Sequence, residues 1–412
     1  MGHVRPRVSV IIPAYNAEPF IRAAIESVLA QTYRAGEILV VDDGSTDGTA
    51  AAVQPFHPHV RLINQVNQGP SAARNTGILS SSGELLAFLD ADDIWCPEFL
   101  QQAVSLLEAR PGVDVVYTWA QFVDQDGGLL PDRLCSSLES LTLRRLLLGG
   151  DPVLFSSVVA RRSAFARVGL FDPSLRQAED WDMILRMVAA GIRFASIPRA
   201  LVYRRVHPDS VTADAGSALP WERSALRKAL DTLPLPSDCQ GLAPQATFRI
   251  LQRAAMAYWR RGDRRTAVER LLEGFAEWPA ALARPQTYLG LISRLLPSGF
   301  KDDGTVLRDL DRLRDEAVRL LGEVFGSPDL PPVVRSRERA AWSALHAALA
   351  LLFLRRRSWR SALAHGARSL WLHPIPPLQG GVLAARRAAA KSVGLLRVPA
   401  VLDDRGQGSP LG

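Results

Sequence analysis

Along residues 8–89, short apolar runs alternate with stretches of helical period. Val8-Ser9-Val10-Ile11-Ile12-Pro13 is rich in β-branched residues and ends in proline. Ile38-Leu39-Val40-Val41, Val60-Arg61-Leu62-Ile63 and Leu85-Leu86-Ala87-Phe88-Leu89 follow, with turn residues between them. Runs this short, apolar and bounded predict buried strands. Between them, Ile21, Ile25, Val28 and Leu29 mark one face of a helix. Ala50–Val53 begins a second helix, for which Ser45, Thr46 and Asp47 are good N-caps. Asn67 to Gly77 is a loop entering a third. This alternation predicts βαβ units and a parallel sheet.

Acids crowd the ends of two strands. Asp42-Asp43-Gly44 closes the second and Asp90-Ala91-Asp92-Asp93 the fourth. Open α/β sheets bind ligands at that edge. Crowded carboxylates raise each other's pKa unless a cation neutralises them. Hard oxygen ligands in that number suit Mg²⁺ or Mn²⁺ shared with a substrate phosphate. An isolated Asp-x-Asp is equally a solvated acidic turn, so its company decides. Further on, Glu179-Asp180 precedes a segment with Ile184, Met187 and Val188 at helical spacing. The pair therefore stands at a helix N-terminus, which favours a carboxylate. Acidic first turns are also common without any chemistry.

In order, Val8-Ser9-Val10-Ile11-Ile12-Pro13-Ala14-Tyr15-Asn16, Val41-Asp42-Asp43-Gly44-Ser45-Thr46-Asp47, Ala73-Arg74-Asn75-Thr76-Gly77 and Leu89-Asp90-Ala91-Asp92-Asp93 resemble the signature of family 2 glycosyltransferases. That family has the GT-A nucleotide-sugar fold, a Rossmann-like α/β domain. Gly169-Leu170-Phe171-Asp172, Ala178-Glu179-Asp180-Trp181-Asp182 and Tyr203-Arg204-Arg205-Val206-His207 extend the resemblance, which spans residues 6–212.

The resemblance implies roles for these residues. Asp180 would be the catalytic base, with Glu179 beside it on the nucleotide sugar. Asp92 would hold Mn²⁺ or Mg²⁺, and His207 would touch the metal or diphosphate unless it is an ordinary surface or core histidine. Asp90 would reach the ribose, while Asp93 caps or only supports the turn. Asp43 would accept from a nucleobase imide, with Asp42 the alternative and the other acid a turn cap. Arg74 would contact base or diphosphate, or else be a plain helix-surface arginine. Pro13, Ala14 and Tyr15 would meet the base, though the tyrosine also suits a core. Elementary chemistry agrees with this division. A leaving diphosphate needs charge stabilisation, and an acceptor hydroxyl needs a carboxylate to take its proton.

Beyond residue 213 the pattern changes. Residues 214–241, rich in Ser and Pro, read as a linker with a short helix. Residues 242–397 are rich in Ala, Leu and Arg and predict an all-α region. Two segments there correspond at an offset of 95, Tyr258, Ala267 and Pro279 with Phe353, Ala362 and Pro374. That pattern resembles degenerate tetratricopeptide-type hairpins, with a plain helical bundle as the alternative. The tail, 398–412, is expected to be disordered. The organisation expected is thus a GT-A domain over 1–213, a linker, a helical domain and a tail.

Composition adds partners and place. Residues 331–412 hold thirteen Arg or Lys against three acids, a net +10, whereas the whole chain is +7. Such a region suits anionic lipid or a polyanionic acceptor, with Arg-favouring codon usage as the plain alternative. No nucleic-acid motif accompanies the charge. The three cysteines lie far apart and form neither a metal spacing nor a disulfide framework. The longest apolar stretch, Ala344 to Leu354, is shorter than the ~20 residues of a membrane span. Residues 1–7 lead straight into a strand, so no leader is expected. These features suggest a cytoplasmic enzyme, peripheral at the inner face of the plasma membrane.

The function expected is metal-dependent, inverting transfer from a nucleotide diphosphate sugar, a UDP-sugar foremost, to a glycan, lipid-linked or other hydroxyl in surface polysaccharide or glycoconjugate synthesis. The competing reading is a catalytically silent GT-A scaffold acting through its helical half. Retention of Asp43, Asp90, Asp92 and Asp180 together favours the enzyme. A nucleotidyltransferase would show a glycine-rich loop after strand one, where Pro13-Ala14-Tyr15-Asn16 stands instead.

Overall fold

The computed structural model describes residues 6–136, 141–150, 153–207, 215–295 and 308–372. Each predicted apolar run becomes a strand: β1 Val8–Ala14, β2 Glu37–Asp42, β3 Arg61–Asn64 and β4 Leu85–Phe88. These four are parallel in the order β3-β2-β1-β4. Their carboxyl ends therefore share one edge, and the acids that follow β2 and β4 line it. The remaining strands are β5 Ile94–Trp95, β6 Val115–Val123, β7 Leu129–Leu134, β8 Val158–Arg161 and β9 Phe194–Arg205. They continue the sheet as β4-β8-β6-β9-β5, with β7 against β6. In this half β4/β8, β8/β6 and β9/β5 are antiparallel and β6/β9 is parallel. The register Ile94↔Tyr203 matters most. It brings the end of β9, Arg205, with His207 just beyond, back beside Asp92 and Asp93.

Helices cover both faces. Against one face stand α1 Ile21–Leu29 and α4 Phe99–Ala109, burying Ile21, Ile25, Val28, Leu100 and Val104. The short α2 Thr49–Val53 starts after Gly48 with no side-chain cap; Asp47 instead accepts from the Thr49 N–H at 3.0 Å. The opposite face takes α3 Pro70–Ser80, α5 Leu143–Gly149, α6 Arg162–Val168 and α7 Glu179–Ala189. Contact there is close enough that a Cβ on Gly77 of α3 would lie 2.4 Å from Ile11 Cγ2.

Residues 215–232 exceed the short helix expected within the linker. They form α8, an 18-residue helix, Ala215–Thr232. Its buried Leu219, Ala225, Leu226 and Ala229 join the same core as Phe88, Tyr117 and Trp181. Ser217, Pro220 and the small residues concealed the length of this helix, because its apolar positions become dense only after Pro220. Next comes α9, Ala243–Arg260, which serves two cores. Ala246, Ile250, Leu251 and Ala254 complete the sheet-side core, while Phe248, Ala255, Met256 and Trp259 face the helical one.

The helical region continues with α10 Arg264–Glu277, α11 Pro285–Arg294, α12 Leu310–Phe325, α13 Pro332–Arg335, α14 Glu338–Arg355 and α15 Trp359–Leu372. The correspondence at an offset of 95 is visible as two helical hairpins, α9/α10 and α14/α15, whose boundaries match residue for residue. Their turns match too. Gly262 (φ 83°) and Arg357 (φ 61°) are both left-handed. The Asp263 N–H donates to the Tyr258 carbonyl as the Ser358 N–H does to that of Phe353. Pro374 and the 398–412 tail lie outside the described residues. Among the described helices none is long and apolar enough to cross a membrane.

Candidate active site

The carboxyl edge is built by locking loops to one another. Asn16, in left-handed backbone at φ 47°, accepts from the Thr46 N–H at 2.8 Å and donates its own N–H to Ser45 Oγ. These bonds join the β1 and β2 tips. Asp42 caps its own turn, accepting from the Ser45 N–H and hydroxyl. Asp43 is buried. It accepts from Gln65 Nε2 at 2.7 Å and the Gln68 N–H at 3.0 Å on one oxygen, and from the Gly69 N–H at 2.7 Å on the other. It thereby fixes the loop into α3, where Gly69 has φ 91°. Tyr15 is half exposed at this edge, which removes the core alternative, and Pro13 is partly buried beneath it.

Two strands along, at a spacing of about 10 Å, lies the acid cluster. Arg74, on α3, is its centre. The residue is 4% exposed, and its guanidinium sits over the rings of Phe155 and Phe171. Nη2 donates to Asp90 at 2.7 Å and Nη1 to Glu179 at 2.6 Å. The cation thus ties the end of β4 to the start of α7. Sequence offered Arg74 as a nucleotide contact or a helix-surface arginine. The structure buries it between carboxylates.

Glu179 and Asp180 open α7 after Ala178, which holds left-handed backbone at φ 60°. Such a conformation costs a non-glycine residue ~1 kcal/mol or more, so packing must enforce it. Burial pushes the Glu179 carboxyl up to about 7, against the pull of Arg74. Burial also raises Asp180, again opposed by Arg74. Asp180 Oδ1 accepts from the Trp181 N–H at 2.7 Å, and Oδ2 has no hydrogen-bond partner among the described residues. Its neighbour Asp182 is buried on Arg186 and Lys228.

At the β4 end, the Asp90 N–H donates to Ser156 Oγ at 3.1 Å. Asp92 Oδ2 lies 3.2 Å from His207 Nε2, and the His207 ring packs on Phe20. Burial raises the Asp92 carboxyl, and the Asp90 charge raises it further, while His207 draws it back. Asp93 is buried and accepts from the Arg205 N–H at 3.0 Å. Burial and its acidic neighbours lift it well above the ordinary range. Asp93 therefore supports the turn. Arg205 clamps the same turn by donating to the Asp92 carbonyl at 3.1 Å.

Asp90, Asp92, Arg74, Glu179, Asp180 and His207 are thus gathered into one site. Pro13, Tyr15 and Asp43 lie along the same edge without bonding that cluster. Ser156 and Phe20 were not singled out from sequence, and Arg205, though inside the Tyr203–His207 motif, was given no role there. Among the described residues no group of three or more His, Cys, Asp or Glu is arranged to ligate a metal. Asp92 and His207 offer one oxygen and one nitrogen side by side. That suits an ion that takes few protein ligands and fills its shell with diphosphate and water, as Mg²⁺ does.

The model of glycosyl transferase family 2 matches residues 9–169. An uncharacterized glycosyltransferase of Rickettsia typhi is 32% identical over 222 residues, covering 51% of this chain and 67% of that protein. One of Nostoc sp. is 32% identical over 225 residues, covering 52% and 68%. Among solved structures, S. aureus TarS 1–349 in complex with UDP-GlcNAc is 18% identical, with TM-score 0.47 over 88% of this chain and 90% of that one. Mannosyltransferase PcManGT from Pyrobaculum calidifontis, in complex with GDP-Man and Mn²⁺, is 21% identical, with TM-score 0.47 over 90% and 88%.

Proposed function

The chain belongs to glycosyltransferase family 2 and is a glycosyltransferase of GT-A fold; from that premise we propose that it moves a sugar from a nucleotide diphosphate sugar, a UDP-sugar foremost, to an acceptor hydroxyl with inversion. The observation that carries this reading is the convergence of Asp90, Asp92, Glu179 and Asp180 on one edge around Arg74. A silent scaffold has no need of a buried cation holding acids together from two distant segments.

Asp43 supports the nucleobase. Its Oδ2 carries one hydrogen bond and has capacity for an imide N–H. Tyr15 and Pro13 flank the base. Asp90, a third exposed and oriented by Arg74 and Ser156, takes the ribose. Asp92 and His207 would hold Mn²⁺ or Mg²⁺ against the diphosphate, and a bound ion would offset the charge developing on the leaving group. Arg74 acts by positioning Asp90 and Glu179. Asp180 is the base: Oδ2 accepts the acceptor hydroxyl's proton while that oxygen bonds the anomeric carbon opposite the leaving diphosphate. The bond to the diphosphate breaks with its electron pair, and a nucleoside diphosphate departs. Burial keeps Asp180 basic, which suits general-base work near neutral pH.

Acceptors of surface polysaccharide or glycoconjugate type fit a peripheral enzyme. Trp359, Leu363 and Leu370 stand exposed at helical spacing on α15, beside Arg357, Arg360 and Arg368. An apolar stripe flanked by arginine suits the surface of an anionic membrane. Co-sedimentation with anionic vesicles that falls as salt rises is the outcome expected there.

Calorimetry with UDP in Mn²⁺ and then in chelator tests the donor reading. Binding should need the metal in the native chain, and Asp92→Asn should abolish that dependence. Equal affinity in both conditions for the native chain would remove the metal from the account. A panel of nucleotide sugars, scored by melting temperature, then identifies the donor.

A further inference from the structure

Away from the carboxyl edge, five arginines gather around α9 and α11. Arg249, Arg253 and Arg260 share one face of α9; Arg284 precedes α11 and Arg294 ends it. Two glycines let the arginine tips pack directly on the backbone. A Cβ on Gly290 would lie 3.3 Å from Arg249 Nη1, 3.6 Å from Arg294 Nη1 and 3.7 Å from Gln252 Nε2. A Cβ on Gly150, just after α5, would lie 3.4 Å from Arg253 Nη1. The tips of Arg249 and Arg294 therefore meet around one point, beside Gln252, whose Nε2 donates to the Thr287 carbonyl at 3.1 Å.

Counter-charge is scarce. Arg249 Nη1 donates to Gln252 Oε1 at 3.1 Å, Arg260 Nη1 to the Arg294 carbonyl at 2.6 Å, and Arg284 lies over the Trp278 ring. Among the described residues, Glu222 is the one carboxylate bonded to any of the five, at 3.0 Å from Arg253 Nη2. Burial, then the charges of Arg253, Arg249 and Arg260, bring Arg294 down to about 10. Arg249 is lowered by burial, then by Arg253 and Arg284. Part-buried guanidiniums that repel one another are costly unless an anion offsets their charge. Their planar forks match phosphate oxygens.

We propose that the cluster of Arg249, Arg253 and Arg294 beside Gln252 is a second ligand site, separate from the donor edge, and takes a phosphate or diphosphate ester. The ester can be a lipid headgroup or a soluble phosphate, since both present the same oxygens.

The test uses the full chain in chelator, so that it does not depend on the metal-linked donor reading. Inorganic pyrophosphate is titrated by calorimetry at low and high salt. One saturable site is expected, weakening with salt. Arg249→Gln and Arg294→Gln should each weaken it about tenfold or more, the scale of losing a charge-assisted hydrogen bond, and Asp92→Asn should leave it in place. Without anion, Arg294→Gln should melt no lower than the native chain, because an unneutralised charge has gone, and should lose the rise in melting temperature that pyrophosphate causes. Sedimentation with phosphatidate against phosphatidylglycerol vesicles separates the sources. A phosphatidate preference lost in the variants assigns the headgroup, and no preference assigns the soluble ester. No saturable binding to the native chain, or equal binding to both arginine variants, overturns the site. So does a lower melting temperature in Arg294→Gln with an unchanged pyrophosphate response, which would make the arginines structural.

Discussion

Replacing Arg74 by methionine should expose how far the acid cluster depends on one buried cation. The side chain bonds Asp90 and Glu179 at 2.7 and 2.6 Å from a nearly water-free position. Breaking a buried pair from one side costs about 3–5 kcal/mol, because the partner charge is stranded. Two features reduce that here. Asp90 is a third exposed, and methionine still packs on Phe155 and Phe171. A loss of about 2–4 kcal/mol near pH 8 is therefore expected. The loss must also depend on pH. Without Arg74, Glu179 and Asp180 face each other and the Asp90 charge uncompensated, and their folded-state pKa values stand further above unfolded ones. The folded variant then holds more protons than its unfolded chain between about pH 4 and pH 8, so its stability falls as pH rises through that window. Burial already raises Glu179 to about 7 with Arg74 present, which makes it the first to take a proton. The gap between native chain and variant should widen from pH 5 to pH 8 in calorimetric melting, reaching about 4–12 °C at the upper end. Arg74→Lys keeps the charge but cannot fork to both acids, and should fall between the two. A gap below about 1 kcal/mol, or one equal at both pH values, would refute the reasoning.

Two further outcomes test how the helical half is fastened. Against the effect of burial, Lys228 of α8 and Ser174 hold the Asp172 carboxyl at about 2. Asp172→Asn should cost about 1–2 kcal/mol at pH 7, discounted for part exposure, and the gap to the native chain in urea unfolding should close as pH falls from about 4 to about 2; a gap constant with pH would contradict the ion pair. A fragment ending at residue 213 lacks α8 and α9 and so strips Leu219, Leu226, Leu242, Ile250 and Leu251 from the sheet-side core. It should aggregate or bind a hydrophobic dye strongly, and a soluble fragment with a cooperative melt would show that the core closes without them.

The parallel half of the sheet was legible because its strands are short β-branched or aliphatic runs bounded by turns. The antiparallel half was not. β8 is four residues long and owes its place to pairing with β4 and β6, far away in sequence. The second hairpin was legible through small residues at fixed offset, since Ala267 and Ala362 both sit buried where paired helices approach. The length of helix α8 was hidden because its register appears only after Pro220. In the site, carboxylates at strand and helix ends could be picked out as residue types. What orients them could not. Arg74 reaches Glu179 across 105 residues and Arg205 clamps Asp92 across 113. Asp43 was marked as a base contact, and its second task, fixing the Gln65–Gly69 loop, emerges only from the fold.

The central claim is that Asp180 is the base at a nucleotide-sugar site. Turnover of Asp180→Asn with saturating donor tests it most directly, with donor affinity measured alongside by calorimetry. The exchange keeps shape and removes basicity. Unchanged donor affinity with turnover lower by ~10²–10⁴-fold, the usual worth of a general base, is the result predicted. Near-native turnover in that variant would contradict the assignment.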